Sequence, residues 1–148
     1  MQKNIIMIVE DNEDDLELTL RAFAKNKILN EIVIARDGVE ALDYLFGTGV
    51  HEGRDLRVMP EVILLDLNMP RMSGIETLKR IRANEHTKLL PVVVLTSSDE
   101  EQDMTESYEC GVNSYIRKPV DFNQFVNSVQ QLSLYWMVLN QHPHTHTP

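Results

Sequence analysis

One cysteine in 148 residues, Cys110, excludes an internal disulfide framework and suits a reducing cytoplasm. Basic residues are scarce: 14 Lys and Arg stand against 23 Asp and Glu, a net charge of −9, which speaks against nucleic acid as a partner. No apolar run approaches the roughly 20 residues that span a bilayer, and no charged-then-apolar leader opens the chain. No membrane partner is therefore expected, and the cytoplasm is the expected location. Internal repeats and long low-complexity segments are also missing.

Short, dense apolar runs are what the chain does contain. Val62-Ile63-Leu64-Leu65 reads as a strand buried on both faces, the pattern of a parallel sheet covered by helices. The run ends in Asp66, and Pro70 blocks its extension. In open α/β sheets, ligands bind just outside the carboxyl ends of the strands. Alone, Asp66 is equally a turn former or a helix cap.

The other strands follow the same grammar. Ile5–Val9 runs into Glu10-Asp11-Asn12-Glu13-Asp14-Asp15, and a helix follows with Leu16, Leu20 and Phe23 on one face. Ile32–Ala35 is a second strand. Asp37 with Glu40 makes a capping-box pattern for a helix with Val39, Leu42 and Phe46 on its stripe, ended by Gly47. Residues 48–60 carry no clear period, and as a long connection they read equally as a partner contact or as disorder. Ser73 with Glu76 opens a helix striped by Ile75, Leu78 and Ile81. Val92–Leu95 leads into Thr96-Ser97-Ser98, with Ser98 and Glu101 a further capping box and Gly111 closing that helix. Ser114–Ile116 ends in Arg117-Lys118-Pro119, and Asp121 with Gln124 starts a last helix carrying Phe125, Val129, Leu132 and Trp136. Strict alternation of this kind predicts an α/β fold, a five-stranded parallel sheet flanked by five helices within residues 1–140. Residues 141–148 read as a disordered tail, although His142, His144 and His146 are capable of binding a transition metal. His51 and His86 read as solvated, and Cys110 as a small buried hydrophobe.

Right-handed βα connections bring every carboxyl strand end to one edge. That edge gathers Glu10, Asp11, Asp66, Thr96 and Lys118. Each has an ordinary structural explanation alone; together they describe acids that repel one another and call for a cation. Mg²⁺ takes one or two carboxylates with waters and phosphate oxygens, and the Lys118 ammonium can pair with a carboxylate or phosphate. This set supports phosphoryl transfer onto Asp66 as nucleophile, with metal and Lys118 neutralising the transferring oxygens and Thr96 bonding one of them.

The runs Val9-Glu10-Asp11-Asn12, Asp66-Leu67-Asn68-Met69-Pro70-Arg71-Met72-Ser73-Gly74, Leu95-Thr96-Ser97 and Lys118-Pro119 resemble the receiver domain of two-component response regulators over residues 3–132. The resemblance implies a flavodoxin-like sheet in the order 2-1-3-4-5. It also implies phosphorylation of Asp66 from a histidine kinase and Mg²⁺ held by Glu10, Asp11, Asp66 and the Asn68 backbone carbonyl. A cis Lys118-Pro119 bond and Tyr115 as a switch aromatic answering Thr96 complete what it implies. On its own pattern Tyr115 is equally a core or edge residue. The 47–60 loop and the long last helix resemble the single-domain regulators that pair with cyanobacterial phytochromes.

Rival readings fare less well. A flavin carrier would need a phosphate cradle where this chain has an acidic loop, and a dehalogenase-type phosphatase would want an aspartate where Asn68 stands. A phosphorylation-independent module would not require the complete acceptor set. No output domain is expected after residue 140, so the signal should leave by surface contact with a downstream protein, and no catalysis beyond the chain's own phosphorylation and dephosphorylation is expected. Apolar residues all round 132–139, Leu134, Tyr135 and Val138 among them, predict a homodimer through the last helix.

Overall fold

Each expected strand forms, and each is followed by its helix. The computed structural model describes residues 5–28, 30–96, 101–117 and 122–134. In chain order the elements are β1 (Ile5–Val9), α1 (Glu13–Lys25), β2 (Glu31–Ala35), α2 (Gly38–Phe46), β3 (Val62–Leu65), α3 (Gly74–Ala83), β4 (Val92–Thr96), α4 (Glu101–Glu109), β5 (Ser114–Arg117) and α5 (Phe122–Leu134). The strands pair in parallel in the order β2-β1-β3-β4-β5, as the resemblance implied.

Side chains alternate across the sheet and divide the core in two. Met7, Val9, Ile63, Leu65, Val92 and Val94 face Ala41, Leu42 and Leu45 of α2 and Leu78 and Ile81 of α3. Ile6, Ile8, Val62, Leu64, Val93 and Leu95 face Leu16, Ala22 and Phe23 of α1 and Phe125, Val126 and Val129 of α5. Strands β1, β3 and β4 are buried at every position, which is why they read as unbroken apolar runs. β2 lies at the sheet edge and is half open to solvent, with Ile34 39% exposed.

Local chemistry sets the helix ends. Asn12, Asp37 and Ser73 cap α1, α2 and α3, their side chains accepting from the amides of Asp15, Glu40 and Glu76. The Asp37 box closes one residue early, since Glu40 Oε1 accepts from the Arg36 amide at 3.1 Å. The face that α2 buries centres on Ala41, Leu42, Tyr44 and Leu45, with Val39 and Phe46 half-buried at its margins. In α1, Thr19 and Ala22 are buried beside Leu16 and Phe23, while Leu20 is half-buried.

The α2–β3 connection is built rather than shapeless. A 3-10 turn spans Gly49–His51. Arg54 then anchors the loop, donating to the carbonyls of Tyr44 at 2.7 Å and Val58 at 2.6 Å while its guanidinium lies 3.9 Å from the Tyr44 ring centre. His51 departs from expectation: instead of being solvated it is half-buried, edge-on to Tyr44 with ring centres 5.2 Å apart. His86 is exposed, and Cys110 is half-buried against the α2–α3 side of the core.

Among the described residues no helix is long and apolar enough to cross a membrane. Ser98, Lys118, Pro119 and Asp121, the chain from Tyr135 onward, and with it Trp136, Val138 and the histidine tail, lie outside the described residues.

At the amino-terminal edge of the sheet one side chain of α3 ties two loops together, α3–β4 and α4–β5. Arg82 donates to the Gly111 carbonyl at 2.7 and 3.0 Å, to Leu90 at 2.8 Å, to Lys88 at 3.1 Å, and to Asn113 Oδ1 at 3.3 Å. Partial burial lowers the pKa of its guanidinium, yet the group stays charged and offers a fork that lysine lacks. Arg82→Ala is expected to lower unfolding stability by about 2–3 kcal/mol, because the orphaned carbonyls lose charge-assisted bonds. Arg82→Lys should recover less than half of that in a urea titration.

Candidate phosphoacceptor and metal site

The sheet ladder continues past the strand ends and places the first two acids. The Glu10 amide donates to Ala35 at 2.9 Å, and the Asp66 amide donates to Val9 at 3.1 Å. Glu10 and Asp66 therefore leave adjacent strands side by side. Both are buried, whereas Asp11 is exposed. Carboxylate oxygens of Glu10, Asp11 and Asp66 all lie within 4.8 Å of one another. The span between oxygens on opposite sides of a Mg²⁺ is close to this, about 4.2 Å for bonds of about 2.1 Å.

Asp66 carries the most telling feature. Its Oδ1 is buried with no hydrogen-bond partner among the described residues. A buried carboxylate oxygen left this way is costly unless a cation or a proton donor meets it. Glu10 differs, accepting from the Asn12 amide at 3.3 Å. An orphaned oxygen beside two further carboxylates fits a hard divalent cation, with Glu10, Asp11 and Asp66 as the side chains to hold it.

The residues after Asp66 form a closed loop. The Gly74 amide returns to the Leu67 carbonyl at 3.0 Å, and a Cβ at Gly74 would overlap the Asp66 carbonyl oxygen and stand 2.6 Å from Leu67 Cα. Only glycine lets α3 start this close to Asp66. Asn68 sits exposed in the loop. Thr96 is fully buried at the end of β4, and Tyr115 is half-buried, packed against the α2–α3 side of the core. The structure thus gathers Glu10, Asp11 and Asp66, with Thr96 at the end of the strand next to β3. Lys118 falls outside the described residues.

Two ion pairs at this edge escape sequence reading. Arg36 pairs with Glu13 across the β2–α2 and β1–α1 connections. Arg71 pairs with Asp37 at 2.6 Å, across 34 residues of sequence. The capping role of Asp37 is visible in its spacing to Glu40, but nothing in the sequence links it to Arg71.

Residues 6–130 match the family model described as "Response regulator receiver domain". The chain belongs to the response regulator receiver family. It is 40% identical over 139 residues to the probable methanogenesis regulatory protein FilR2 of Methanothrix harundinacea, covering 94% of this chain and 87% of that one. It is 37% identical over 133 residues to the response regulator Rcp1 of Synechocystis, covering 90% of this chain and 88% of Rcp1. The Mn²⁺-bound form of Rcp1 superposes with a TM-score of 0.84 at 36% identity, over 95% of this chain and 99% of that one. The phosphorylated cyanobacterial phytochrome response regulator RcpA superposes with a TM-score of 0.86, also at 36% identity and over 95% and 99% of the two chains. The receiver fold and the likeness to phytochrome regulators are therefore as the sequence implied, and family membership implies a histidine kinase as partner.

Three crowded carboxylates are expected to make stability depend on a divalent cation. In chelator, Asp66→Asn should be more stable than wild type, by on the order of 1 kcal/mol, because one like charge is gone. Added Mg²⁺ should raise the unfolding midpoint of wild type and barely move the variant. Equal midpoint shifts in thermal melts of the two proteins would remove the triad as the binding site.

Proposed function

We propose that this receiver domain is a phosphorylation switch in which Asp66 accepts a phosphoryl group from a phosphohistidine of a sensor kinase. The supporting observation is the orphaned, buried Oδ1 of Asp66 within a triad of carboxylates at the carboxyl edge of the sheet. A carboxylate oxygen of Asp66 attacks phosphorus, the phosphorus–nitrogen bond breaks, and the imidazole leaves with the electron pair and takes up a proton. The carboxylate triad would hold Mg²⁺, which when bound would supply charge neutralisation for the phosphoryl oxygens. Glu10 and Asp11, with Asp66 and the Asn68 carbonyl, are its proposed ligands. Buried Thr96 is assigned the bond to a phosphoryl oxygen in the product, Lys118 the ion pair to the same group, and Tyr115 the response to movement of Thr96. The chain catalyses its own phosphorylation and dephosphorylation and no reaction on a released substrate.

RcpA is described as a phytochrome response regulator, and a phytochrome-type histidine kinase is the donor we assign here. FilR2 is described as a probable methanogenesis regulatory protein, so a panel of kinases that includes non-photosensory ones is the fair comparison. Output is assigned to surface contact with a downstream protein in the cytoplasm. A homodimer through the last helix is part of the same reading, resting on the apolar residues all round 132–139.

Labelling with a radioactive acyl phosphate in Mg²⁺ should mark the wild type, and Asp66→Asn should fall to background. Equal incorporation by the two would exclude Asp66 as the acceptor. For the dimer, sedimentation of Leu134→Glu/Val138→Glu should give a monomer where the wild type gives a dimer. A monomeric wild type, with and without a phosphate analogue, would end that part of the reading.

A further inference from the structure

The loop that carries Asn68 is closed at its base and strained at its tip. The base is the Gly74 to Leu67 hydrogen bond. At the tip the Met72 amide donates to the Pro70 carbonyl at 2.7 Å around Arg71, whose φ is 63°. That combination matches the positive-φ form of the γ-turn, the rarer and more strained of the two. A residue with a Cβ is strained in this region, and glycine would not be. Something must hold Arg71 there.

Asp37 is the group in place to do so. Its side chain is 7% exposed, and Oδ2 accepts from Arg71 Nε at 2.7 Å and Nη2 at 2.6 Å. Oδ1 of the same carboxylate caps α2, accepting from the Glu40 amide at 2.9 Å. The carboxylate is thereby fixed from its own helix before it meets the arginine. A second contact joins the same segments, for a Cβ on Gly38 would stand 3.2 Å from the Met72 side chain and overlap Thr77 Oγ1. Both ends of the Asn68 segment are thus pinned, one on α3 and the other on the first turn of α2.

We propose that Asp37 and Arg71 are a positioning pair that holds the acceptor loop in its strained turn and so presents the loop's backbone to the cation at Asp66. This deepens the phosphorylation reading and rests on it for the identity of the cation site. The pair touches neither the phosphoryl group nor the metal; it acts through the loop. The idea also explains why an exposed arginine occupies a position whose backbone favours glycine: the guanidinium supplies what glycine cannot, a tether to the neighbouring helix.

Metal-free wild type, Arg71→Ala, Arg71→Gly and Asp37→Asn distinguish the possibilities, with amide hydrogen exchange over residues 67–74 and calorimetric titration with Mg²⁺ as readouts. Arg71 is exposed, so its removal should leave the core intact, and asparagine retains the cap at position 37. Arg71→Ala and Asp37→Asn are each expected to speed exchange in the loop about tenfold while α2 stays protected. Mg²⁺ affinity should fall about tenfold, as when a group that orients a ligand is lost. The sign for Arg71→Ala is decisive. Deleting a cation near three carboxylates would tighten Mg²⁺ by charge alone, so weakening reports position. Arg71→Gly should restore part of the loop protection, since glycine takes the turn without strain. Loop exchange unchanged in both Arg71→Ala and Asp37→Asn, or tighter Mg²⁺ binding by Arg71→Ala, would overturn the proposal. Acyl-phosphate labelling of the wild type is read separately: its failure would remove the phosphoacceptor reading, while the exchange comparison would still judge the pair.

Discussion

Repulsion between carboxylates that the sheet will not let separate is the constraint on which the rest depends. Glu10 and Asp66 follow strands whose backbone ladders continue through their own amides. Neither residue can retreat without breaking a sheet hydrogen bond. Two unit charges about 4 Å apart repel by about 4 kcal/mol at an effective dielectric of about 20. A site of this kind is costly in isolation, and the stable frame is what tolerates it. For the same reason it is responsive, because an arriving cation or phosphoryl group changes its energy by more than it would change that of an exposed acid.

Frame and site occupy opposite edges of the sheet. Strands β1, β3 and β4, buried at every position and packed on both faces, form a rigid layer that fixes where their ends lie. At the amino-terminal edge the connections are held by arginines bonded to backbone carbonyls, Arg82 across the α3–β4 and α4–β5 loops and Arg54 within the α2–β3 loop. Those bonds are structural, satisfying carbonyls of the loops and of the end of α2. At the carboxyl edge polar groups are instead crowded or left open, as Asp66 Oδ1 is. Stability is concentrated at one end and chemistry at the other, as expected of open α/β sheets.

The fold was legible because its signals are local and repeated. Unbroken apolar runs mark central strands, and Asp37 and Ser73 announce helix starts three residues ahead of an acidic partner. β2 is the strand that the apolar run describes least well, since burial on both faces belongs to inner strands and this one is at the edge. The acid triad was also legible, because alternating connections leave strand ends no other place to go. Contacts between distant segments were not. Nothing in the spacing of Arg54, Tyr44 and His51 tells that the guanidinium and the imidazole both meet the tyrosine ring, and the 48–60 stretch lacks a period because its order comes from one arginine rather than from a repeating face. The Asp37–Arg71 pair is hidden for the same reason, across 34 residues of chain.

Where the rim's cations go matters as much as where its acids lie. Arg36 and Arg71 stand near the carboxyl edge and carry charge that could have quenched the triad. Arg36 is engaged by Glu13 and Arg71 by Asp37, acids outside the cluster. Guanidinium groups are always charged, so an arginine bound within the triad would offset its charge permanently and leave little for a divalent ion to gain. Pairing each with an acid of its own keeps the triad's charge in reserve for ligands that come and go. The same pairing lets Arg71 anchor a loop without competing for the site that the loop serves. A fixed cation and a strained turn, each a cost when considered alone, are compatible at this edge because one buried carboxylate, already held as a helix cap, answers both.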